Sequence, residues 1–297
     1  MDRIDLSGLG IALITPFNED ESVDFESLGR VVDHLLKNKV DYIVVLGTTA
    51  ETPTLTEEEK SKIIAFVKER VNGSVPLVLG VGGNNTRAVA AQLRTGDFSG
   101  IDAILSVVPY YNKPSQEGIY RHYQTIAEST DLPVVLYNVP GRTGVNMSPD
   151  TVLRLARDYK NIVAVKEASG NIVQVDEIIK NKPADFAVIS GDDGITYPLI
   201  SLGAVGVISV IGNAFPAEFG KMVRLALKGD YANALKIHHE FTELFSLLFV
   251  DGNPAGVKSM LEAMGYIKNK LRLPLVPTRI TTYEKIRVIL ENLNIKA

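Results

Sequence analysis

Pro133-Val134-Val135-Leu136-Tyr137, then Ser148-Pro149 ahead of Val152, Leu153 and Leu155, then Ile162-Val163-Ala164-Val165-Lys166: residues 133–166 read as strand, helix and strand in succession. Both apolar runs are short, β-branched and nearly continuous, as in strands covered on two faces. The segment between them opens with an N-cap serine and a proline at the first helical position. Working outward, the unit recurs. Similar runs occupy 10–14, 42–46, 76–81, 103–108, 186–190 and 205–210. Asp24 precedes Phe25, Leu28, Val31, Val32, Leu35 and Leu36 on one helical face, and Thr56 with Glu59 forms a capping box before Ile63, Ile64 and Val67. Phe215-Pro216 opens a segment that stops at Gly229. Eight strands alternating with helices predict a (β/α)8 TIM barrel rather than a doubly wound sheet. From Tyr231 the strand signals cease, while helical patterning continues through 235–250, 254–264 and a piece opened by Thr281 and Glu284. The expected organisation is an α/β catalytic barrel over 1–230 and a C-terminal helical appendage over 231–297.

Composition narrows the function. The chain has 297 residues, with Lys+Arg 31 against Asp+Glu 35 and a net charge of −4. That balance offers no basic excess for nucleic acid or an anionic membrane. The absence of cysteine removes disulfides, thiolate nucleophiles and Cys-ligated metal centres. Met1-Asp2-Arg3-Ile4-Asp5 places acids where a signal peptide needs positive charge followed by an apolar run. Residues 194–217 are uncharged and long enough to span a bilayer, but they contain Pro198, Gly203, Gly206, Gly212 and Pro216. A buried helix, a glycine turn and a strand account for them better, and a cytoplasmic protein is expected.

Barrel active sites form where strands end at the C-terminal face. Those ends carry Gly47-Thr48-Thr49-Ala50-Glu51, Pro109-Tyr110-Tyr111-Asn112-Lys113-Pro114, Tyr137-Asn138-Val139-Pro140-Gly141-Arg142, Lys166-Glu167-Ala168 and Gly191-Asp192-Asp193. Alternation along the sixth strand puts Ile162, Ala164 and Lys166 on one side, with Val163 and Val165 on the other. If that side is the barrel interior, desolvation lowers the pKa of the Lys166 amine, and a neutral amine can attack a carbonyl to form a Schiff base. On spacing alone, a strand-end lysine that snorkels to water or pairs with an acid is the commoner outcome. Arg142 suits bidentate capture of a substrate carboxylate or a surface salt bridge. Thr48 and Thr49 fit a turn, and Tyr110-Tyr111 fit half-buried packing. Gly80-Val81-Gly82-Gly83 lacks the third glycine of a dinucleotide loop. His34, His122, His238 and His239 have no metal-ligand spacing, His34 reads as a structural residue, and Asp192-Asp193 suits a cation or, more commonly for adjacent strand-end acids, a pair of helix caps. No metal is assigned.

On these residues the chain resembles the dihydrodipicolinate synthase/N-acetylneuraminate lyase family of pyruvate-dependent class I aldolases over essentially its whole length. The motifs Gly47–Glu51 and Tyr137-Asn138-Val139-Pro140, with Lys166 lying 29 residues after Tyr137, carry the resemblance. It implies a carbon–oxygen lyase that condenses pyruvate with L-aspartate 4-semialdehyde in the diaminopimelate route to lysine. No organic cofactor is implied, because a protonated imine is itself the electron sink. Carried over residue by residue, Lys166 forms the imine and Tyr137 relays protons. Thr48 links Tyr137 to Tyr111, which comes from the neighbouring subunit of a homotetramer built from two tight dimers. Thr49 holds the pyruvate carboxylate, Gly191 and Ile208 line the same pocket, and Arg142 takes the carboxylate of the aldehyde. Ala50 stands where the family usually has glycine.

The family's lysine-sensitive members bind that end product at the tight dimer interface, a crevice matched here by Thr52, Pro53, Glu57, Lys60, Asn84, Ala88 and Tyr110. Glu57 replaces a usual histidine, and Ala88 replaces a glutamate that would meet an ammonium group, so weak or absent inhibition by L-lysine is expected. Two other functions compete. A sister aldolase acting on a sugar acid would keep Lys166 and Tyr137 but need no arginine at 142. A non-catalytic barrel binding a keto acid would have no use for the intact set of Lys166, Tyr137, Thr48 and Thr49.

Overall fold

A computed structural model of the chain describes residues 4–292; the reading of Met1, Asp2 and Arg3 lies outside the described residues. Strands β1 (Gly8–Ala12), β2 (Tyr42–Val45), β3 (Leu77–Gly80), β4 (Ala103–Val107), β5 (Val134–Asn138), β6 (Ile162–Glu167), β7 (Ala187–Ser190) and β8 (Gly206–Ser209) pair in sequence order and close into a barrel, β8 lying parallel to β1. The (β/α)8 expectation holds. β1 begins two residues before the expected run, because the apolar residues outlast the sheet: the Ile14 amide donates to the Asn213 side chain at 3.2 Å instead of to a strand.

Helices α1 (Phe25–Lys37), α2 (Glu57–Val71), α3 (Thr86–Thr95) and α4 (Gln116–Ala127) follow the first four strands. After β5 come a single turn, α5 (Pro140–Thr143), and then α6 (Pro149–Asp158). The circuit continues with α7 (Ile172–Asn181), α8 (Thr196–Leu202) and α9 (Pro216–Leu227). The caps are those the sequence announces. The Asp24 carboxylate accepts the Ser27 N–H, Thr56 and Glu59 complete their box, and the Ser148 hydroxyl accepts the Thr151 N–H. Such caps stabilise a helix by about 1 kcal/mol each. Residues 194–217 form α8, a left-handed turn at Gly203 (φ 114°), β8 and the start of α9. Among the described residues no helix is long and apolar enough to cross a membrane.

One apolar cluster fills the barrel, with Tyr42, Val44, Leu105, Val135 and Ile189 among its members; another lies between strands and helices. Tyr42 fits inside because Gly10 yields it space: a Cβ there would sit 2.2 Å from the ring. The expected alternation of β6 needs a correction. The register against β5 slips between Val134 and Val135, so that Val134 faces Ile162 while Val135 faces Ala164. The extra residue, Val163, joins Ala164 in the barrel interior, and Ile162 packs outside with Val165. A bulge resets the alternation, and Lys166 still ends on the inner side.

Helices α10 (Tyr231–Leu247), α11 (Ala255–Ala263) and α12 (Ile280–Asn292) complete the described chain. Phe241 and Phe245 of α10 pack on Phe219 of α9, and Phe241 also meets Phe215 edge to face with ring centres 5.4 Å apart. More than an appendage, this region reaches the C-terminal face of the barrel, where Lys258 of α11 is fully buried.

Candidate active site

β5 and β6 present Tyr137 and Lys166 side by side at their C-terminal ends, at matched positions of the ladder. Lys166 is 5% exposed, and its Nζ lies 4.3 Å from the centre of the Tyr137 ring. Among the described residues it has no ion-pair or hydrogen-bond partner, so neither the snorkelling nor the salt-bridged lysine is realised. Neighbouring Glu167 points to the other side of β6 and is engaged elsewhere. It accepts from Asn138 Nδ2 at 2.5 Å, the Ser169 hydroxyl at 2.6 Å and Gln174 Nε2 at 3.2 Å. Burial pushes its carboxyl up from the usual range, and those hydrogen bonds oppose the push. Gly191 gives Lys166 its room: a Cβ there would stand 3.0 Å from Lys166 Cε and 2.8 Å from the Ala168 Cβ. Ile208 is buried in the same interior cluster as Tyr137.

After β2 the chain turns through a short 3₁₀ segment, Thr48–Ala50, into Glu51 at φ 55°. The left-handed residue is Glu51, while Ala50 takes a right-handed helical conformation, so its Cβ introduces no backbone strain. Thr49 is buried and its Oγ1 accepts from Asn253 Nδ2 at 3.0 Å. Thr48 lines a cleft of about 330 Å³ together with Tyr137, Val139, Arg142 and Tyr110. Arg142, on the α5 turn, is exposed and forms no ion pair among the described residues, leaving its guanidinium free toward the cleft. Lys166 and Thr49 sit deeper and do not line this outer space.

Tyr111 is not brought to the others within one chain. It is 88% exposed, at φ 76°, with its N–H on the Thr143 carbonyl. Thr52, Pro53 and Tyr110 border the same cleft, and Asn84 Nδ2 donates to the Tyr110 carbonyl at 3.2 Å. Glu57 and Lys60 pair with each other at 2.7 Å, and Ala88 lies on the first turn of α3. Asp192 caps the following turn by accepting the Gly194 N–H, and buried Asp193 accepts the Val210 and Ile211 N–H groups, each at 2.9 Å. His34 is structural, placed between the Ala214 carbonyl and the Tyr266 hydroxyl.

Sequence reasoning missed a set of side chains behind the site. Asn253 holds Thr49, Lys258 meets Glu51 at 2.5 Å with both side chains wholly buried, and the Arg272 N–H donates to Glu51 Oε2 at 3.1 Å. Partners some 200 residues apart leave no spacing signal. A second missed group anchors the loop that carries Arg142. Asn138 Oδ1 accepts the Met147 N–H and its Nδ2 reaches Asn146 Oδ1 at 2.8 Å, while Gln116 Nε2 donates to the Asn146 carbonyl.

An amine kept dry against a phenol ring, near a cleft lined by Thr48 and by a guanidinium with no ion pair among the described residues, can form an imine and draw an anionic carbonyl compound toward it. Fold and cleft together define a (β/α)8-barrel enzyme with its reactive groups at the C-terminal face. The chain belongs to the dihydrodipicolinate synthetase family, whose sequence model matches residues 5–293. It is 72% identical over 296 residues to the 4-hydroxy-tetrahydrodipicolinate synthase of Parabacteroides distasonis, covering 100% of each chain. Among solved structures it is similar to dihydrodipicolinate synthase from Aquifex aeolicus, with a TM-score of 0.94, 42% identity and 98% and 99% of the two chains covered. It is also similar to a dihydrodipicolinate synthase described as the first monomeric variant, with a TM-score of 0.94, 41% identity and 97% of each chain covered.

Proposed function

We infer that this lyase carries out the 4-hydroxy-tetrahydrodipicolinate synthase reaction, condensing pyruvate with L-aspartate 4-semialdehyde in the diaminopimelate route to lysine. The observation that carries the site assignment is the buried Lys166 amine against the Tyr137 ring, with no ion-pair or hydrogen-bond partner among the described residues. Lys166 attacks the keto carbon of pyruvate and water leaves as the imine forms. Tyr137 moves protons to and from the adduct, Thr49 holds the pyruvate carboxylate, and Gly191 and Ile208 shape the pocket. Losing a proton from the methyl carbon gives an enamine, which attacks the aldehyde while Arg142 binds its carboxylate. The imine draws off the electron pair, so the chemistry asks for no organic cofactor. The carbon–oxygen subclass expected from the sequence is a misplacement: the amine of the aldehyde substrate attacks the imine carbon, closing the ring with a new carbon–nitrogen bond while the bond from that carbon to Lys166 Nζ breaks and frees the lysine.

Tyr111 completes the relay to Thr48 from a second subunit. Its exposure supports that reading, and the exposed apolar side chains of Ile172 and Val173 on α7 and of Leu202 on α8 are suited to pairing dimers into a homotetramer. We place the boundary between the catalytic barrel and the C-terminal helical domain at residues 230 and 231, in a cytoplasmic enzyme. Borohydride added with pyruvate tests the chemistry: a mass increment on the peptide carrying Lys166, absent from Lys166→Ala, is expected. Turnover near wild type in a folded Lys166→Ala protein would sink the Schiff-base assignment. Rates with aspartate semialdehyde and with N-acetylmannosamine as second substrate separate this function from that of a sugar-acid aldolase. Mixed Tyr111→Phe and Lys166→Ala subunits should regain activity if the tyrosine is donated across the interface.

A further inference from the structure

The segment between α10 and α11 reaches back to the turn after β2. Asn253 lies in it, 6% exposed, and its Nδ2 donates to Oγ1 of Thr49, which is 2% exposed. Its Oδ1 is buried and has no hydrogen-bond partner among the described residues. A buried amide that serves only a structural end is normally satisfied at both its donor and its acceptor. This one spends its side-chain hydrogen bonding on a single hydroxyl.

A hydroxyl has one proton and two acceptor lone pairs. When Asn253 Nδ2 fills a lone pair of Thr49 Oγ1, the Thr49 proton remains for another acceptor. Were the amide turned over, Oδ1 would take that proton, and the hydroxyl would have nothing to donate to a ligand. The two arrangements have the same shape and opposite hydrogen-bond polarity. Thr49 is otherwise held in place, since Lys258 and the Arg272 N–H fix Glu51 two residues later.

We propose that Asn253 is a positioning residue for pyruvate: by donating to Thr49 it turns the Thr49 proton into the pocket, where the substrate carboxylate accepts it. Carboxylate recognition by the barrel thus depends on a residue of the C-terminal region. The proposal rests on the reading of Thr49 as the carboxylate holder.

A double-mutant cycle in the full-length enzyme tests it. Asn253→Ala should raise the KM for pyruvate severalfold, and raise the pyruvate concentration for half-maximal borohydride trapping of Lys166 by the same factor. Asn253→Asp, which keeps the shape but only accepts, should raise both at least tenfold, with the KM for aspartate semialdehyde at saturating pyruvate unchanged. In a Thr49→Val background, Asn253→Ala should add nothing to the pyruvate KM, because its partner hydroxyl is gone. Wild-type pyruvate KM and trapping in the Asn253 variants, or effects that add fully in the cycle, would overturn the proposal. If Thr49→Val itself leaves the pyruvate KM unchanged, the reading of Thr49 falls and takes this one with it. If Thr49→Val raises it and the Asn253 variants do not, the role of Asn253 alone is refuted.

Discussion

Lys258 Nζ and Glu51 Oε1 meet at 2.5 Å with neither side chain exposed, tying α11 to the turn that carries Thr48 and Thr49. Burial pulls the Lys258 ammonium below its ordinary pKa, and the Glu51 carboxylate opposes that pull. Lys258 Nζ also donates a hydrogen bond to the Lys270 carbonyl at 2.9 Å. Breaking such a pair from one side leaves an uncompensated charge in the interior, which costs about 3–5 kcal/mol. Lys258→Met should therefore lower the free energy of unfolding by that order in denaturant titration. Adding Glu51→Leu should recover a large part of the loss while activity stays low, since the turn loses its anchor. Equal stability of Lys258→Met and the parent would show that the pair is not coupled to the fold.

Arg142→Ala should leave borohydride trapping of pyruvate intact and weaken use of the aldehyde. Losing a charge-assisted, bidentate hydrogen-bonded contact removes about 1.5–3 kcal/mol, roughly a 10- to 150-fold rise in the KM for aspartate semialdehyde. Arg142→Lys should fall between, keeping charge without the planar fork. A variant that loses pyruvate trapping and keeps aldehyde binding would reverse the assignment.

L-Lysine should inhibit weakly or not at all. In the crevice matched to the family's effector site, Lys60 already occupies the Glu57 carboxylate at 2.7 Å, and Ala88 offers no second acid to a ligand ammonium. Initial rates should stay flat as lysine is titrated into the millimolar range. Strong cooperative inhibition below a millimolar would mean that Glu57 exchanges Lys60 for the ligand.

His122 should make the protein acid-sensitive. Desolvation holds its imidazole down to about 4, with Nδ1 on the Thr86 hydroxyl at 2.8 Å and Nε2 without a hydrogen-bond partner among the described residues. Between pH 6.5 and 4 the unfolded chain binds a proton here that the folded chain does not, so stability falls as pH falls through that window. The shift corresponds to about 3 kcal/mol. Asp193, pushed up to about 6 by burial, acts with opposite sign over much of the same range, its contribution falling as pH rises. The informative comparison is therefore between proteins that share Asp193. His122→Gln should lose less stability than wild type from pH 6.5 to 4 in denaturant titrations, and parallel curves for the two would refute the assignment.

The element order and the capping residues were legible in the sequence because they are local. A period of two or of 3.6, an N-cap serine or a capping box is complete within a few residues. Lys166, Tyr137, Thr48 and Arg142 could be singled out because barrel strands deliver their C-terminal ends to one face, so position along the chain already implies position in space. Tertiary structure alone decided the rest. The bulge at Val163 depends on how β6 fits β5, and alternation read from β6 by itself put Ile162 and Val163 on the wrong sides. That Lys166 is dry, and unpaired among the described residues, depends on what surrounds it, including the bare backbone at Gly191. Asn253 on Thr49 and Lys258 on Glu51 join residues 204 and 207 positions apart. No periodicity spans such distances, because the energy of a buried hydrogen bond depends on distance and desolvation in the folded chain, not on separation along it.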